Sequence, residues 1–170
     1  MFLFIFSKSN WNILNFRTNL IQSLKKKNYE IYTFSEEDNY KAELKKLVTA
    51  SINISFKNRN IAIFNDLFNL IKISYYCYVK KPKYFLSFNI KPIILSGIIS
   101  FFFKTKNIIT ITGLGTAFET NTNKFITKIA IFLYSISINQ KDHIIFQNKY
   151  DLDYFKKNKI ISDKNNCYIF

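Results

Sequence analysis

The sequence predicts a single α/β domain built on a doubly wound parallel sheet, and three observations support this prediction. Short apolar runs of strand length alternate with longer segments of helical periodicity along the chain, which is typical of βαβ units. Several of the short runs are apolar throughout, as expected of strands covered on both faces. The 170 residues, 48% of them hydrophobic, suit one domain with a packed core and exclude a disordered chain.

Seven apolar or β-branched runs are the predicted strands. The first, FLFIF, is continuously apolar, and the fifth, NIITIT, is rich in β-branched residues, which favour extended backbone. In chain order the predicted strands are Phe2–Phe6, Glu30–Phe34, Ile52–Phe56, Tyr84–Phe88, Asn107–Thr112, His143–Phe146 and Cys167–Phe170. Right-handed connections between parallel strands then give a Rossmann-like topology.

Six helices are predicted between the strands from apolar residues spaced three and four apart. Pro82 ends the third helix, and Pro92 begins the fourth, because proline is tolerated only in a first helical turn. The third helix carries along one face Ile63, Leu67, Leu70, Ile71 and Ser74. In chain order the predicted helices are Ile13–Lys27, Tyr40–Leu47, Ile61–Val79, Pro92–Phe103, Asn123–Asn139 and Lys149–Lys157.

Cysteine usage and apolar run length indicate a cytosolic location. Cys77 and Cys167 are the only cysteines, too few for a disulfide scaffold, so we expect two reduced thiols. The longest uncharged apolar stretch, Pro92–Phe103, is well short of the roughly 20 residues that a membrane span needs. The start of the chain, MFLFIFSKSN, lacks the basic leader and cleavage site of a signal peptide.

The formal net charge of +14 narrows the class of partner. Nucleic acid, an anionic membrane surface and phosphorylated substrates all attract a basic chain. Only two of the 25 basic residues are Arg, the residue usually chosen for bidentate contacts with phosphates and bases. Much of the charge therefore reflects a composition in which Lys fills exposed positions. The remainder favours a basic face towards lipid head groups over nucleic acid.

The loop after the first strand, SKSNWNILNFR, is the first candidate site. Ligands of such sheets bind beyond the carboxyl ends of the strands. The loop lacks the G-x-G-x-x-G pattern, which argues against a dinucleotide. Its candidate ligand contacts are Ser9, Asn10, Trp11, Asn15 and Arg17, with the helix N-terminus attracting an anion and Arg17 binding phosphate. The alternative is that Ser9, Asn10 or Asn12 caps the helix, Trp11 packs against it and Arg17 is solvated.

Three further strand ends carry candidates. Gly113 and Gly115 concentrate two of the three glycines in one turn, which indicates positive φ or a ligand close to the backbone. The loop after the fourth strand contributes Lys91, which either contacts a phosphate or is solvated. The sixth strand is followed by Gln147 and Asn148, which either hydrogen-bond a ligand or cap the next helix.

Other catalytic constellations are not recognisable in the sequence. His143 is the only histidine and starts a strand, at the end away from a site, so we expect a structural role. With one His and two scattered Cys, the sequence predicts no zinc site. No carboxylate pair and no serine or cysteine triad has a familiar spacing.

Four motifs at these strand ends resemble the amino-terminal domain of bacterial family-4 glycosyltransferases. In chain order they are S-x-W-N-x-x-N-F-R, FNIKP, TITGLGTAF and IIFQNKYD, and the resemblance runs from Phe2 to about Phe155. The chain looks closest to enzymes that transfer galactose, N-acetylgalactosamine or related sugars onto lipid-linked intermediates of capsule, O-antigen or protein glycans.

The resemblance implies one half of a GT-B fold, in which two Rossmann-like domains face each other across a cleft. The amino-terminal domain of that fold binds mainly the acceptor, and the second domain binds most of the nucleotide-sugar. The acceptor contacts implied by the resemblance are Ser9, Asn10, Trp11, Asn15, Arg17, Lys91, Gln147 and Asn148. The residues implied near the reacting sugar and the donor phosphates are Thr112, Gly113, Leu114 and Gly115.

Cofactor and partners follow from the same resemblance. Such enzymes need no metal, so we expect no cofactor other than a nucleotide-sugar co-substrate, UDP-linked and bound mainly by the other domain. The expected partners are a donor-binding domain or subunit, a polyprenyl-diphosphate-linked glycan and an anionic membrane surface, without nucleic acid. The expected location is the cytoplasm, peripheral on the inner face of the plasma membrane.

The sequence departs from the family pattern in two places. It stops at Phe170, about where such enzymes pass into the second domain, so we expect the donor-binding domain to be absent and the isolated chain to be inactive. Many family members have a catalytic His in the turn where this chain has Thr112 and Gly113, so no catalytic residue is assigned. The alternative function is a non-catalytic module that contacts a membrane or another protein.

Overall fold

The structure, a computed structural model, describes residues 1–56, 62–115, 118 and 123–170. For residues 62 and 63 it describes the backbone only. Its strands are β1 (Phe2–Ser9), β2 (Glu30–Glu36), β3 (Ala50–Asn53), β4 (Tyr84–Phe88), β5 (Lys106–Ile111), β6 (His143–Phe146) and β7 (Asn166–Ile169). Its helices are α1 (Asn10–Lys26), α2 (Lys41–Leu47), α3 (Ala62–Lys80), α4 (Ile90–Phe103), α5 (Lys124–Ser137) and α6 (Lys149–Lys157).

The strands lie in the order β3-β2-β1-β4-β5-β6-β7, and the alternation of strand and helix confirms the predicted α/β fold class. The pairs β1–β2, β2–β3, β5–β6 and β6–β7 are all parallel. The chain divides into two compact units, Met1–Leu86 and Ser87–Phe170. Each unit carries helices beside its own strands, which explains why the strand sequences are apolar on both faces.

An aromatic cluster forms the core of the first unit. Phe4 is fully buried and its ring lies 4.9 Å from the ring of Phe34 and 5.8 Å from that of Phe85, to which it is nearly parallel. Phe6 stacks on Phe34 at 5.0 Å. These rings come from three different strands, so the cluster ties the strands of this unit together through side chains as well as backbone.

Isoleucines and three aromatic rings form the core of the second unit. Ile109, Ile144 and Phe146 are fully buried, and Phe155 packs edge-on against Phe146 at 5.3 Å. Tyr134 of α5 is 1% exposed and contacts the same Phe155. Burial raises the pKa of this phenol above its ordinary value.

A buried polar chain fastens α4 within the second unit. The hydroxyls of Ser87 and Ser96 lie 2.6 Å apart, and Ser87 donates to Oδ1 of Asn107 at 2.9 Å. The amide of Asn107 in turn donates to Oγ of Ser96 at 3.3 Å. These three side chains satisfy one another, so the apolar helix α4 tolerates Ser96 in its buried face.

Five of the seven strands differ from the predicted bounds: β2, β5 and β7 by one or two residues, and β1 and β3 by up to three. The strand β1 continues to Ser9, whose register partner is Glu36, and α1 begins at Asn10 instead of Ile13. The strand β3 is Ala50–Asn53 instead of Ile52–Phe56, because it is Ala50 and the next three residues that pair with β2. Both errors arise because backbone pairing extends over residues whose side chains do not mark a strand.

The buried face of α3 also differs from the predicted apolar face. Asn69, Ile73 and Cys77 are buried, whereas Leu67 and Ile71 are exposed. Burial raises the pKa of the Cys77 thiol to about 12, so this cysteine is unreactive at neutral pH. No helix within the described ranges combines the length and the apolar character that a membrane crossing needs.

Candidate functional site

Ser9 caps helix α1 at the carboxyl end of β1. Its backbone is extended, with φ −150° and ψ 165°, and its hydroxyl accepts a hydrogen bond from the backbone N–H of Asn12 at 3.3 Å. Ser9 also donates to Oδ1 of Asn12 at 3.1 Å. This is the usual N-cap arrangement, in which a side-chain oxygen satisfies a helix donor that has no partner within the helix.

The N-terminus of α1 already holds a carboxylate of the chain. The backbone N–H of Trp11 donates to Oδ2 of Asp38 at 2.9 Å, and the backbone N–H of Tyr40 donates to Oδ1 of Asp38 at 3.0 Å. A negative group at a helix N-terminus is favoured by the helix dipole. Asp38 therefore stands where the sequence suggested that a ligand phosphate binds.

Asn10 is buried between the ends of β1 and β2. It is 1% exposed, and its Oδ1 accepts a hydrogen bond of 2.6 Å from the hydroxyl of Ser35. Its Nδ2 has no hydrogen-bond partner. Burying an amide donor without an acceptor costs free energy. The side chain of Asn10 therefore has one hydrogen bond, to Ser35, and one donor left unused.

Trp11 and Phe16 form an exposed aromatic pair on the first turns of α1. Trp11 is 42% exposed, and its ring meets that of Phe16 edge to face at 5.5 Å. The side-chain amide of Asn15 donates to the carbonyl of Trp11 at 2.9 Å. Trp11 therefore offers an accessible aromatic surface, and the backbone N–H of the same residue binds the carboxylate of Asp38.

Arg17 lies one turn further along α1 and is half-buried. Its Nη1 donates to the carbonyl of Phe16 at 3.0 Å, and burial lowers the pKa of the guanidinium. Arginine nonetheless stays charged at neutral pH, since its ordinary pKa is above 12. Arg17 is therefore a fixed positive charge on the helix, not a freely solvated side chain.

In the second unit, the turn after β5 has the backbone that its glycines predicted. Gly113 has φ 125° and Gly115 has φ 74°, both in the region that favours glycine. Apart from its two chain neighbours, no described residue has an atom within 4 Å of the position where a Cβ would extend from Gly113, so this side of the turn is open to the described part of the chain. The side chain of Leu114 packs against the core, which anchors the turn, and Thr112 is exposed.

The turns after β5 and β6 lie side by side. Ile111 and Phe146 are register partners at the ends of these two strands, so Thr112 and Gln147 follow at the same edge of the sheet. Gln147 is exposed. Asn148 caps α6, accepting from the N–H of Asp151 at 2.8 Å and donating to a carboxylate oxygen of Asp151 at 3.0 Å.

Two further predicted residues have clear positions. Lys91 is exposed in the first turn of α4, which places its charge near the helix N-terminus. His143 begins β6, at the strand end away from Gln147, and its ring stacks on Tyr168 at a centroid distance of 5.9 Å. Across the described part of the chain, no three His, Cys, Asp or Glu side chains group as metal ligands.

The predicted site residues thus fall into two sets, each within one unit. Ser9, Asn10, Trp11 and Asn15 lie together at the α1 N-terminus, with Arg17 one turn away. Thr112, Gly113, Leu114, Gly115, Gln147 and Asn148 follow β5 and β6, and Lys91 begins α4. Sequence reasoning missed Asp38, although the acidic run at the carboxyl end of β2 was the signal that marks it.

Comparison with known proteins identifies the fold and leaves the family open. No family model and no curated protein matches the sequence. Among solved structures, a glycosyltransferase from Rickettsia africae superposes with a TM-score of 0.70 at 16% identity, over 99% of this chain and 42% of that one.

Two further solved structures, a UDP-GlcNAc 2-epimerase and MurG, also superpose on nearly the whole of this chain. A UDP-GlcNAc 2-epimerase from Methanocaldococcus jannaschii matches with a TM-score of 0.66 at 13% identity, over 99% of this chain and 45% of that one. MurG from Acinetobacter baumannii matches with a TM-score of 0.59 at 10% identity, over 99% of this chain and 45% of that one.

These matches establish a GT-B-like half. At such low identity they show the fold alone, which is that of one Rossmann-like half of glycosyltransferase-like enzymes. The chain spans less than half the length of each of these structures.

Proposed function

We propose that this chain is the acceptor-binding half of a GT-B glycosyltransferase, of the family-4 type, that transfers a sugar from a nucleotide-sugar to a lipid-linked or polysaccharide acceptor. The observation that carries the proposal is coverage: 99% of the chain superposes on 42–45% of the compared two-half enzymes. Transfer then requires a donor-binding half, whether on the same polypeptide or on another.

The geometry of the first unit supports acceptor binding over nucleotide binding. The turn after β1 has no glycine, and the α1 N-terminus that would receive a diphosphate is occupied by Asp38. A second negative group there would meet like-charge repulsion. By contrast, the face of Trp11 suits the apolar face of a sugar ring, and a carboxylate accepts hydrogen bonds from hydroxyls.

The second unit supplies the contacts proposed for phosphates and the reacting sugar. The open side of Gly113 lets a ligand approach the backbone of the turn Thr112–Gly115. Lys91 adds a positive charge in the first turn of α4. The nucleotide-sugar, UDP-linked, is the co-substrate and is bound mainly by the donor half, and the proposed reaction uses no metal.

Replacing Trp11 by Ala is expected to weaken acceptor binding about tenfold while leaving the fold intact. An exposed aromatic anchor contributes more than about 1 kcal/mol to a complex, which is close to a factor of ten. The measurement is isothermal titration calorimetry with a short-chain polyprenyl-diphosphate sugar, and Arg17→Ala is expected to weaken binding as well.

The matched control is Phe102→Ala, because Phe102 is also an exposed aromatic residue on a helix, at 73% exposure. It should leave the affinity unchanged. If Trp11→Ala instead lowers the free energy of unfolding by several kcal/mol, Trp11 is a packing residue and the acceptor site lies elsewhere.

The exposed face of α5 supports an anionic membrane surface as partner. Phe125, Ile129 and Phe132 are exposed on this helix together with Lys124 and Lys128, and no acidic residue occurs from 123 to 141. Apolar side chains flanked by lysines are typical of helices that lie in a membrane interface. We place the enzyme on the inner face of the plasma membrane, where a lipid-linked acceptor would be reached.

Replacing Lys124 and Lys128 together by Ala is expected to lower binding to anionic vesicles about 30-fold, since each lysine contributes about 1 kcal/mol. Flotation with phosphatidylserine vesicles measures this binding. The pair Lys45→Ala and Lys46→Ala, exposed on α2, is the control and should bind as wild type. Wild-type binding that does not weaken with salt would contradict an electrostatic mechanism.

The same α5 face also fits the second candidate, a non-catalytic membrane or protein-interaction module. Sugar transfer separates the two functions. The acceptor-half proposal expects no transfer by the 170 residues alone and transfer when a donor-binding half is co-expressed. Persistent inactivity with every such half would favour the module.

A further inference from the structure

The outward face of α3 is an uninterrupted apolar stripe. Ile71 stands at its middle and is 62% exposed. The exposed side chains of the stripe are Phe64, Leu67, Phe68, Ile71, Tyr75, Tyr78 and Val79, each at least half accessible. They recur at spacings of three and four over 16 residues of helix, so they share one side of the helix.

The two lysines of α3 contact other parts of the chain and do not interrupt the stripe. The Nζ of Lys72 donates to the carbonyl of Asn53 at 2.8 Å. The Nζ of Lys80 lies 5.3 Å from the ring centroid of Phe2 and 5.4 Å from that of Tyr32. Although the whole chain carries a net charge of +14, this face of α3 is electrically neutral.

The stripe is large enough for a stable interface. Seven side chains that are half to three-quarters exposed present about 800 Å² of apolar and aromatic surface. A standard protein–protein interface buries about 800 Å² on each partner, whereas the largest apolar patch of a typical monomer is about 300–600 Å². An area of this size left in water would be costly.

The stripe is also partly preorganised. The ring of Tyr75 meets the ring of Tyr76 edge to face at 5.6 Å, and Tyr76 packs in turn on the buried Phe34 at 5.6 Å. An aromatic side chain held in place loses little entropy when it is covered. Tyrosine is also enriched at interfaces because its hydroxyl stays hydrated at the rim.

We propose that a second copy of this chain covers the α3 stripe, giving a symmetric dimer through α3 and its counterpart. Two neutral stripes meet without the repulsion that two chains of +14 would otherwise experience. Apolar rows spaced three and four apart are the ridges and grooves by which helices pack, and a two-fold contact is the commonest way to close an oligomer.

A lipid surface is the less suitable occupant of this stripe. Anionic lipid is attracted by free lysines at the edge of an apolar face. On α3, Lys72 donates to the carbonyl of Asn53, and Lys80 lies over the rings of Phe2 and Tyr32. On α5, by contrast, Lys124 and Lys128 are exposed. The proposal does not depend on the glycosyltransferase function, because the stripe lies along a helix and not at the ends of the strands.

Analytical ultracentrifugation of the full chain at about 1–100 µM is the test. Wild type should sediment at twice 20.2 kDa, and Ile71→Glu should raise the dimer dissociation constant at least a hundredfold with an unchanged unfolding midpoint. The control Phe132→Glu, at 61% exposure on α5, should remain dimeric. A monomeric wild type, or a dimer that persists in Ile71→Glu or dissociates in Phe132→Glu, overturns the proposal.

Cross-linking tests the same contact without a disruptive charge. In a Cys167→Ser background, Ile71→Cys should give a disulfide-linked dimer on oxidation with diamide, because Ile71 at the centre of the stripe lies close to the two-fold axis. Phe132→Cys in the same background should stay monomeric on a non-reducing gel. Equal cross-linking of the two variants, or none at Ile71→Cys, overturns the proposal.

Discussion

Replacing Phe4 by Ala is expected to lower the free energy of unfolding by about 4 kcal/mol, the largest loss from a single core residue. Phe4 has no exposed surface, and its ring contacts the rings of Phe34, Phe85 and Tyr32 at centroid distances of 4.9, 5.8 and 5.6 Å. Truncation removes all three contacts and leaves a cavity beside rings of β2 and β4. Typical stabilities are about 5–15 kcal/mol, so the variant loses a large share of its stability and should unfold at a much lower urea concentration.

Urea unfolding followed by circular dichroism measures this loss. Phe4→Leu keeps most of the buried volume and should cost only about 1–1.5 kcal/mol. Phe102→Ala removes an exposed ring and should change the free energy of unfolding by less than about 0.5 kcal/mol. If Phe4→Ala costs no more than Phe4→Leu, the aromatic cluster does not stabilise the first unit as described.

Replacing Gly97 by Ala is expected to lower the free energy of unfolding by about 2–3 kcal/mol. A Cβ at this position would collide with the backbone carbonyl oxygen of Ser137, and a backbone atom cannot move aside as a side chain can. The side-chain amide of Asn139, just after α5, also donates to Oγ of Ser100 at 3.3 Å. The extra methyl group therefore forces α4 and α5 apart along their closest contact.

The sign of the Gly97→Ala effect discriminates between packing and helix propensity. In an exposed helix interior, Ala is about 1 kcal/mol more favourable than Gly. A stabilised Gly97→Ala variant would therefore show that α4 and α5 are not in close contact at this point. For a chain of this size, the expected loss corresponds to a midpoint lower by about 4–12 °C in a thermal melt.

The sequence was sufficient to predict the fold because the short apolar runs of strands and the three-and-four apolar spacing of helices seldom overlap in this chain. Strands such as FLFIF are apolar on both faces, Pro82 follows the end of α3, and Pro92 lies in the first turn of α4, which begins at Ile90 instead of the predicted Pro92. Every predicted strand and helix among the described residues is present. The end of a strand was predicted too early where polar residues continue the backbone pairing with the neighbouring strand. Ser9 continues β1 opposite Glu36, although the apolar run ends at Phe6.

The buried face of α3 was not predictable by periodicity, because apolar residues surround this helix. Leu67 and Ile71 are as hydrophobic as Ile73, yet only Ile73 is buried. A polar residue, Asn69, lies on the buried face because its Nδ2 reaches the carbonyl of Ser55 at 2.8 Å. Such a tertiary hydrogen bond leaves no mark in the local sequence, so the exposed stripe became visible only in the structure.

The candidate site was predictable only in outline. The predicted strands were enough to locate the loops that follow β1, β5 and β6, and the glycines marked a turn with positive φ at Gly113 and Gly115. The contact between Asp38 and the N–H of Trp11 joins residues 27 positions apart, so only the folded backbone shows it. That contact changes the ligand expected at the α1 N-terminus from a phosphate to a neutral sugar.

The central claim is that this half binds the acceptor, and the single tryptophan, Trp11, provides the most direct test. The indole N–H resonance of Trp11 is followed by NMR during titration with a short-chain polyprenyl-diphosphate sugar and, separately, with UDP-N-acetylglucosamine. The account predicts that the acceptor shifts this resonance but not the backbone amide of His143, with little change from the nucleotide-sugar. A tighter complex with the nucleotide-sugar, or acceptor shifts confined to the His143 end of the strands, would contradict it.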